Sequence, residues 1–351
     1  MSILVTGGTG FIGSNFILYM IKKYPDLHIV NLDKLTYASD IRNLETLKNC
    51  DRYSFVHGDI CDKSLLVSLF DLYNFDGVIH FAAESHVDNS IANPGAFIET
   101  NVNGTYILLG VARKFWMVSA NQYKKEYELA RFYHISTDEV YGTLGEEGYF
   151  TEETSYAPNS PYSASKAASD FIVRSYYHTY GMNIVTTNCS NNFGPRQRDE
   201  KLIPTVIRNA ISFNSIPIYG DGKNVRDWLY VEDHCRAIDL VYHNGRAGET
   251  YLIGGKNEQQ NLDIVMTILD ILDIELKHLL IEKGLSSFKE LIEFVDDRPG
   301  HDFRYAINSN KIAKELGWRA VVNFDNAMIS TVKWYISKYT KATIVGNRNG
   351  N

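Results

Sequence analysis

Two rhythms alternate along the first 190 residues. Short, nearly continuous apolar and β-branched runs occur at 2–6 (SILVT), 28–33 (HIVNLD), 53–59 (YSFVHGD), 77–83 (GVIHFAA), 131–137 (RFYHIST) and 183–189 (NIVTTNC). Between them, apolar residues recur every three or four positions and predict helices near 11–24, 62–72, 94–118 and 161–181. Strands that are apolar on both faces and separated by helices predict right-handed βαβ units and a parallel sheet covered on both sides. After residue 190 the rhythm breaks. SNNFGPRQRDEK (190–201) is polar and rich in turn formers. Shorter elements follow, with helices near 203–213, 232–243, 261–274, 308–316 and 324–340 and strands near 216–219 and 250–253. The expected fold is α/β, a doubly wound parallel sheet with a smaller mixed α/β C-terminal domain. The boundary falls near 190, with part of 223–250 returning to the first domain, 191–340 mainly in the second, and 341–351 a flexible tail.

Composition changes this picture little. The chain has 351 residues, 44% hydrophobic and 22% charged, with a net charge of −7 that disfavours general nucleic-acid binding. Cys50, Cys61, Cys189 and Cys235 show no zinc-ligand spacing, so no metal is expected and the thiols read as buried small groups in a reducing compartment. No stretch approaches the roughly 18 apolar residues of a membrane helix, and MSILVT reads as a first strand; the expected location is the cytoplasm.

Three motifs carry chemistry. VTGGTGFIGS joins the first strand to the first helix, with Gly7, Gly10 and Gly13 at three-residue intervals. Such glycines allow a tight turn and close approach of backbone to a pyrophosphate, which then sits on the positive end of the helix dipole. Asp33 closes the second strand, twenty residues beyond Gly13. Its carboxylate would accept from a ribose 2′-hydroxyl and repel a 2′-phosphate, favouring NAD over NADP, so the sheet reads as a Rossmann sheet. Asp59 and the stretch AAES (Ala82, Ala83 and Ser85 included) fall at further strand ends, where ligands bind in such sheets.

The second motif is SPYSASKAASDF. Ser160 reads as an N-cap and Pro161 as the first helical residue, which puts Tyr162 and Lys166 one turn apart on one face. A free phenol has a pKa of about 10. A cation 4 Å away at an effective dielectric of 20 is worth about 4 kcal/mol, enough to bring the phenol near 7. The pair occurs by chance on many helices, and it is the glycine loop that selects it here. The third motif, HISTDEVYG, sets Thr137, Asp138 and Glu139 where a buried strand ends. Neighbouring carboxylates repel, so either water solvates them in a turn or a reaction uses them. Adjacent residues of an extended strand point to opposite faces, so the chain must turn at or just after Thr137 for both to reach one ligand.

TGGTGFIG with YSASK resembles the extended short-chain dehydrogenase/reductase family. LDKLTYAS (32–39), HGDI (57–60), HFAAESHVDNSI (80–91), NCSNNFGPRQ (188–197), KLIP (201–204), IPIYGDGKNVRDWLYVEDH (216–234) and DDRPGHDFRYAI (296–307) extend the likeness over about residues 1–340. They narrow it to sugar-nucleotide-modifying members, and the Asp-Glu after Thr137 to those that act as 4,6-dehydratases. The chain departs from the pattern at Ser39-Asp40, at Asn308 and in the Tyr- and Lys-rich stretch 121–133.

The resemblance implies NAD as cofactor in the first domain, dTDP-glucose as substrate in the second, and a homodimer made through helices 94–118 and 161–181. Charge and spacing leave UDP- or CDP-glucose open. It implies cofactor contacts from Phe11, Ile12, Lys34 and Thr36, from Ile60, and from Thr100 and Asn192. It implies substrate contacts from Ser85, Asp88 and Asn191, and from Lys201, Leu202, Arg226, Asn261, Arg298 and His301 at the nucleoside diphosphate, with Pro217 and Tyr219 at the base. Guanidinium pairing with phosphate gives Arg226 and Arg298 an independent physical case. His80, His86 and His134 read as packed or hydrogen-bonded.

The implied chemistry accounts for the paired carboxylates. A hexose C5–H is not acidic until C4 is a ketone. Tyr162 would take the 4-hydroxyl proton, Thr137 would hold the C4 oxygen, Glu139 would remove the C5 proton and Asp138 would protonate the departing 6-hydroxyl. An acid at neutral pH needs a raised pKa, which burial and an ionised neighbour provide. Rival readings are a sugar-nucleotide 4-epimerase or decarboxylase, which have no use for the acid–base pair, and a non-catalytic NAD-binding regulator, which has no use for Tyr162 either.

Overall fold

The computed structural model describes residues 1–297 and 302–348, the last eight by their backbone alone. Among the described residues, seven strands form the main sheet: β1 (Ser2–Thr6), β2 (His28–Asp33), β3 (Tyr53–His57), β4 (Gly77–His80), β5 (Arg131–Thr137), β6 (Ile184–Cys189) and β7 (Thr250–Ile253). Their order is β7-β6-β5-β4-β1-β2-β3, and every pairing is parallel. Successive side chains alternate between two cores, Ile3 and Val5 on one face and Leu4 on the other. Helices α1 (Phe11–Lys23) and α5 (Val231–Asn244) cover the first face. Helices α2 (Lys63–Tyr73), α3 (Thr105–Trp116) and α4 (Pro161–Tyr180) cover the second. With strands buried on both faces, alternation gives way to the near-continuous apolar runs read from the sequence.

A third core lies beyond the sheet. It is built by helices Leu202–Ile211, Asn261–Glu275 and Phe324–Arg348 around Val206, Ile268 and Met328. Strand Ile216–Tyr219 pairs there with Ile292–Val295. A three-stranded sheet joins the two regions. In it Val225–Tyr230 runs parallel to Asn191–Phe193, which follows β6 after one residue, and antiparallel to Glu258–Gln260.

Several elements differ from expectation. Thr250–Ile253 was placed among the C-terminal elements, yet it pairs with β6 and completes the main sheet, and Asn310–Leu316 packs against it. Four residues carry too little pattern to announce a sheet edge; pairing with a distant strand decides it. The helix expected over 94–118 runs without interruption from 94 to 116, but its hydrogen bonding changes along the way: Pro94–Phe97 is followed by a π-helical stretch, Ile98–Gly104, and then by α3. Within that stretch the Asn101 side chain accepts from Glu84 N at 2.8 Å and donates to Ser165 Oγ at 2.8 Å, tying it to the loop after β4 and to α4. After α3, Met117–Ser119 and Gln122–Tyr123 form a small hairpin, and the Tyr123 hydroxyl accepts from Asn183 N. The final helix continues through Arg348, eight residues past the expected start of a flexible tail, since Lys, Ala, Thr, Ile and Val at 341–345 do not break a helix.

Candidate active site

All strands of a parallel sheet end on the same side, so the loops after β1, β2, β3, β4, β5 and β6 converge. They form a cleft lined by Gly7, Gly10, Phe11, Ile12 and Gly13, by Asp33, Lys34 and Thr36, and by Asp59, Ile60, Ala82, Ala83, Ser85 and Thr100. Thr137, Asp138, Glu139, Tyr162, Lys166, Asn191 and Asn192 form its floor. A second lobe is lined by Asp88, Lys201, Leu202, Pro217, Tyr219, Arg226 and Asn261. Glu139, Asn191, Asn192, Gln197, Glu200 and Lys201 face both lobes. Every sequence-predicted site residue within the described part of the chain therefore lies in one continuous cleft. Arg298 and His301 fall outside the described residues.

The first lobe fits a dinucleotide. Gly7 has φ +70°, and a Cβ there would stand 2.7 Å from the Ala82 backbone. Gly10 precedes α1, which has no side-chain cap and no acidic residue in its first turn, so its leading N–H groups remain available to an anion. Asp33 is buried and held by Thr9 N at 3.0 Å, Leu35 N at 2.8 Å and Ser39 Oγ at 2.8 Å. Lys34 and Asp59 pair at 2.6 Å along the wall. Thr100 belongs to the π-helical stretch.

The candidate reacting groups stand on two elements. β5 ends at Thr137, and the chain turns at once into a 3₁₀ turn over Asp138–Tyr141. Thr137 caps that turn, its Oγ1 accepting from Glu139 N at 3.3 Å. This is the bend the two carboxylates need to share a face. Asp138 is 2% exposed, and among the described residues its Oδ2 has no hydrogen-bond partner. Burial pushes its pKa well up, and the charges of Glu139 and Asp227 push further than Arg226 pulls back.

α4 opens on the expected cap: Ser160 and Ser163 bond reciprocally, with Pro161 first in the helix. Tyr162 and Lys166 are both buried on its inner face. The expectation that Lys166 brings the phenol near 7 is corrected here. Lys166 Nζ donates to the Ile135 carbonyl at 2.9 Å. Burial, with the charges of Glu139 and Cys189, raises the Tyr162 pKa well above that of a free phenol. Burial also lowers Lys166, with Asp170 and Cys189 opposing.

In the second lobe, Arg226 donates to the carbonyls of Val225 (2.8 Å), Asp302 (2.9 Å) and Phe303 (3.2 Å) and stacks on Tyr305 at 4.4 Å. Lys201 Nζ reaches the Ser85 carbonyl at 3.4 Å across the junction of the lobes. Sequence reasoning passed over Cys189 and Ser190, which the rule of strand carboxyl ends would have found, and Gln197 and Glu200 within the polar stretch after 190. Tyr305 and Asp227 carry no local signal, because only the return of the chain brings them to the site. Among the described residues no cluster of His, Cys, Asp and Glu could hold a metal ion, and no helix is long and apolar enough to cross a membrane.

A family model described as GDP-mannose 4,6 dehydratase matches residues 4–331. The chain is 51% identical over 346 residues to the dTDP-glucose 4,6-dehydratase of Salmonella typhimurium, covering 96% of this chain and 93% of the relative. The crystal structure of the Bacillus anthracis dTDP-glucose 4,6-dehydratase in complex with NAD matches at 44% identity and TM-score 0.83, over 96% of this chain and 97% of that one. The Streptomyces venezuelae enzyme of the same name, solved with NAD and a second ligand, matches at 43% and 0.83 over the same shares.

The Asp138 environment makes a prediction about stability. A carboxyl whose folded pKa lies above its unfolded value of about 3.9 favours folding least once pH exceeds both values. Asp138→Asn, neutral at every pH, should therefore gain in Tm relative to the unmodified chain as pH rises from about 4 to 8. A constant Tm difference across that range in calorimetry would contradict the raised pKa.

Proposed function

The chain belongs to the GDP-mannose 4,6 dehydratase family, and from that premise we propose that it converts dTDP-glucose to dTDP-4-keto-6-deoxyglucose. It is an NAD-dependent sugar-nucleotide 4,6-dehydratase, a hydro-lyase, as its relatives' names support. Residues 1–190 hold NAD, with part of 223–250 returning to them, and 191–340 mainly hold the sugar nucleotide. Bound NAD supplies a hydride acceptor for C4, a donor for C6 and a positive ring charge that opposes the raised pKa of Tyr162. The glycine loop and the α1 N-terminus bind its pyrophosphate, and Asp33 accepts from the ribose.

Tyr162 accepts the proton of the 4-hydroxyl, with Lys166 behind it, and Thr137 donates to the oxygen at C4. With a carbonyl at C4, the C5 proton becomes acidic and Glu139 removes it. Asp138 gives its proton to the 6-hydroxyl, which leaves as water, and Glu139, after exchange with solvent, gives a proton back to C5 when the hydride returns to C6. Each such proton transfer contributes roughly 10²–10⁴ in rate. The observation that carries this reading is the buried Asp138 with an unpartnered oxygen, one residue from Glu139, where the two lobes meet. A 4-epimerase or decarboxylase needs no acid at that point, and UDP- or CDP-glucose in place of dTDP-glucose would alter the base contacts near Pro217 and Tyr219 and add a ribose 2′-hydroxyl.

Ile98, Tyr106 and Phe171 are exposed apolar residues on the adjoining 94–116 and 161–180 helices, and we assign that face to a twofold homodimer. Four free cysteines fit a reducing cytoplasm.

Incubation with dTDP-glucose and NAD in heavy water should give a 4-keto-6-deoxy sugar with solvent deuterium at C5 and the original C4 hydrogen at C6 by NMR. A 4-epimerised product would overturn the assignment. Glu139→Gln should lose at least about 10²-fold in kcat and stop C5 exchange; normal exchange in that variant removes Glu139 as the base. Light scattering of the intact protein should give the mass of two chains, and Phe171→Glu should shift it to one; a monomer in the unmodified protein excludes the dimer.

A further inference from the structure

Behind the reacting turn lies a buried polar cluster that the steps above do not use. Asp170 stands one turn beyond Lys166 on α4 and is 4% exposed. Its Oδ1 meets His134 Nε2 at 3.0 Å. Its Oδ2 accepts from Ser136 Oγ at 2.9 Å, Tyr156 OH at 3.0 Å and Asn188 Nδ2 at 3.2 Å. The partners come from β5, from β6 and from the loop before α4, so one carboxylate gathers the three segments that surround the site. Buried charge is tolerated only with such partners.

Two contacts lead from the cluster to the chemistry. The amide nitrogen of Asn188 also donates to the Thr137 carbonyl at 3.0 Å, which belongs to the peptide joining Thr137 to Asp138. Lys166, four residues before Asp170 on the same helix face, is tied to the carbonyl of Ile135, which lies between His134 and Ser136 on β5.

We propose that Asp170 is a positioning residue for the dehydration: through Asn188 it fixes the peptide at which the strand turns into Asp138 and Glu139, and its carboxylate, one helical turn away, faces Lys166. This rests on the reading of Thr137, Asp138, Glu139, Tyr162 and Lys166 as the reacting groups. Cys189, His80 and His134 also face Lys166, and Tyr141 and Tyr156 face Asp170. Burial lowers both histidines and lifts the Cys189 thiol to about 12, so these groups are neutral near pH 7. The two tyrosines are raised by burial and neutral too. Among the described residues of this cluster, Asp170 is the negative charge opposite Lys166. Its removal lowers the lysine pKa, so the charged lysine is lost at a lower pH.

The test is steady-state kinetics of the full chain with dTDP-glucose and NAD across pH. A wild-type chain that makes no 4-keto sugar defeats the functional reading and this inference with it. With an active wild type, Asp170→Asn should lower kcat at least about tenfold, leave KM within about threefold and move the alkaline limb of kcat at least about one pH unit toward acid. Asp170→Glu should restore part of that limb. Asn188→Ala, which leaves the charge and cuts the link to Thr137, should lower kcat about tenfold with the limb unmoved. Val173→Ala, buried on the same helix, should lower Tm while keeping the wild-type kcat and pH profile. Asp170→Asn with wild-type kcat and limb overturns the proposal. So does Val173→Ala reproducing the Asp170→Asn kinetics, or, where Asp170→Asn does not fold, Asn188→Ala with wild-type kcat.

Discussion

A carboxyl oxygen shut away from both water and donors is stable only while the group keeps its proton. Asp138 Oδ2 is in that position, and the rest of the site is arranged around it. The 3₁₀ turn brings Asp138 under the C-terminal region, where Asp227 on strand Val225–Tyr230 adds a negative neighbour. Asp227 is itself held by Gly255 N at 2.9 Å and Asn257 N at 2.7 Å, so its place does not depend on Asp138. Burial is the largest cause of the upward shift at Asp138, with Glu139 beside it and then Asp227 from the C-terminal region adding to it. Glu139, reached by one further residue of the same turn, is the base of the proposed reaction and stands beside that acid.

The same edge of the sheet serves two ligands for a topological reason. β6 ends at Cys189, and after one residue Asn191–Phe193 enters the small three-stranded sheet of the C-terminal region. Asn191 and Asn192 consequently line both lobes. The chain then returns through α5 and β7 to the main sheet, so the two regions are interleaved and not strung in series. Interleaving fixes the distance between the lobes, which matters for a reaction that must hold a hexose carbon against both a cofactor and a turn of protein.

Much of this was legible in the chain because the signals are local. The glycine spacing, Asp33 at a strand end, the Ser160-Pro161 helix start and the need for a bend after Thr137 each follow from a few neighbouring residues. What escaped was set by distant partners. The apolar period across 94–118 reads as a helix, which it is over 94–116, but nothing in it announces the π-helical stretch at Ile98–Gly104. β7 is too short to distinguish a sheet edge from a C-terminal strand. The Tyr162 phenol was read from one helical neighbour, whereas its burial and the Glu139 charge come from the fold. Charge states depend on everything packed around a group, and a sequence shows only what is next to it on the chain.

The division between local and distant signals also separates what this fold shares from what it specialises. A glycine loop, a Tyr and a Lys suffice to oxidise a sugar hydroxyl with NAD, and nothing in them determines what becomes of the ketone. That outcome depends on which proton-transfer groups stand near C5 and C6. An open turn with small polar residues after Thr137 would leave the ketone to be reduced again at C4. A buried acid beside a base gives it a lower path, loss of water, provided the acid enters protonated. In the proposed reaction Asp138 and Glu139 of one 3₁₀ turn thus decide the product, while the sheet beneath them decides only that a hydride can move.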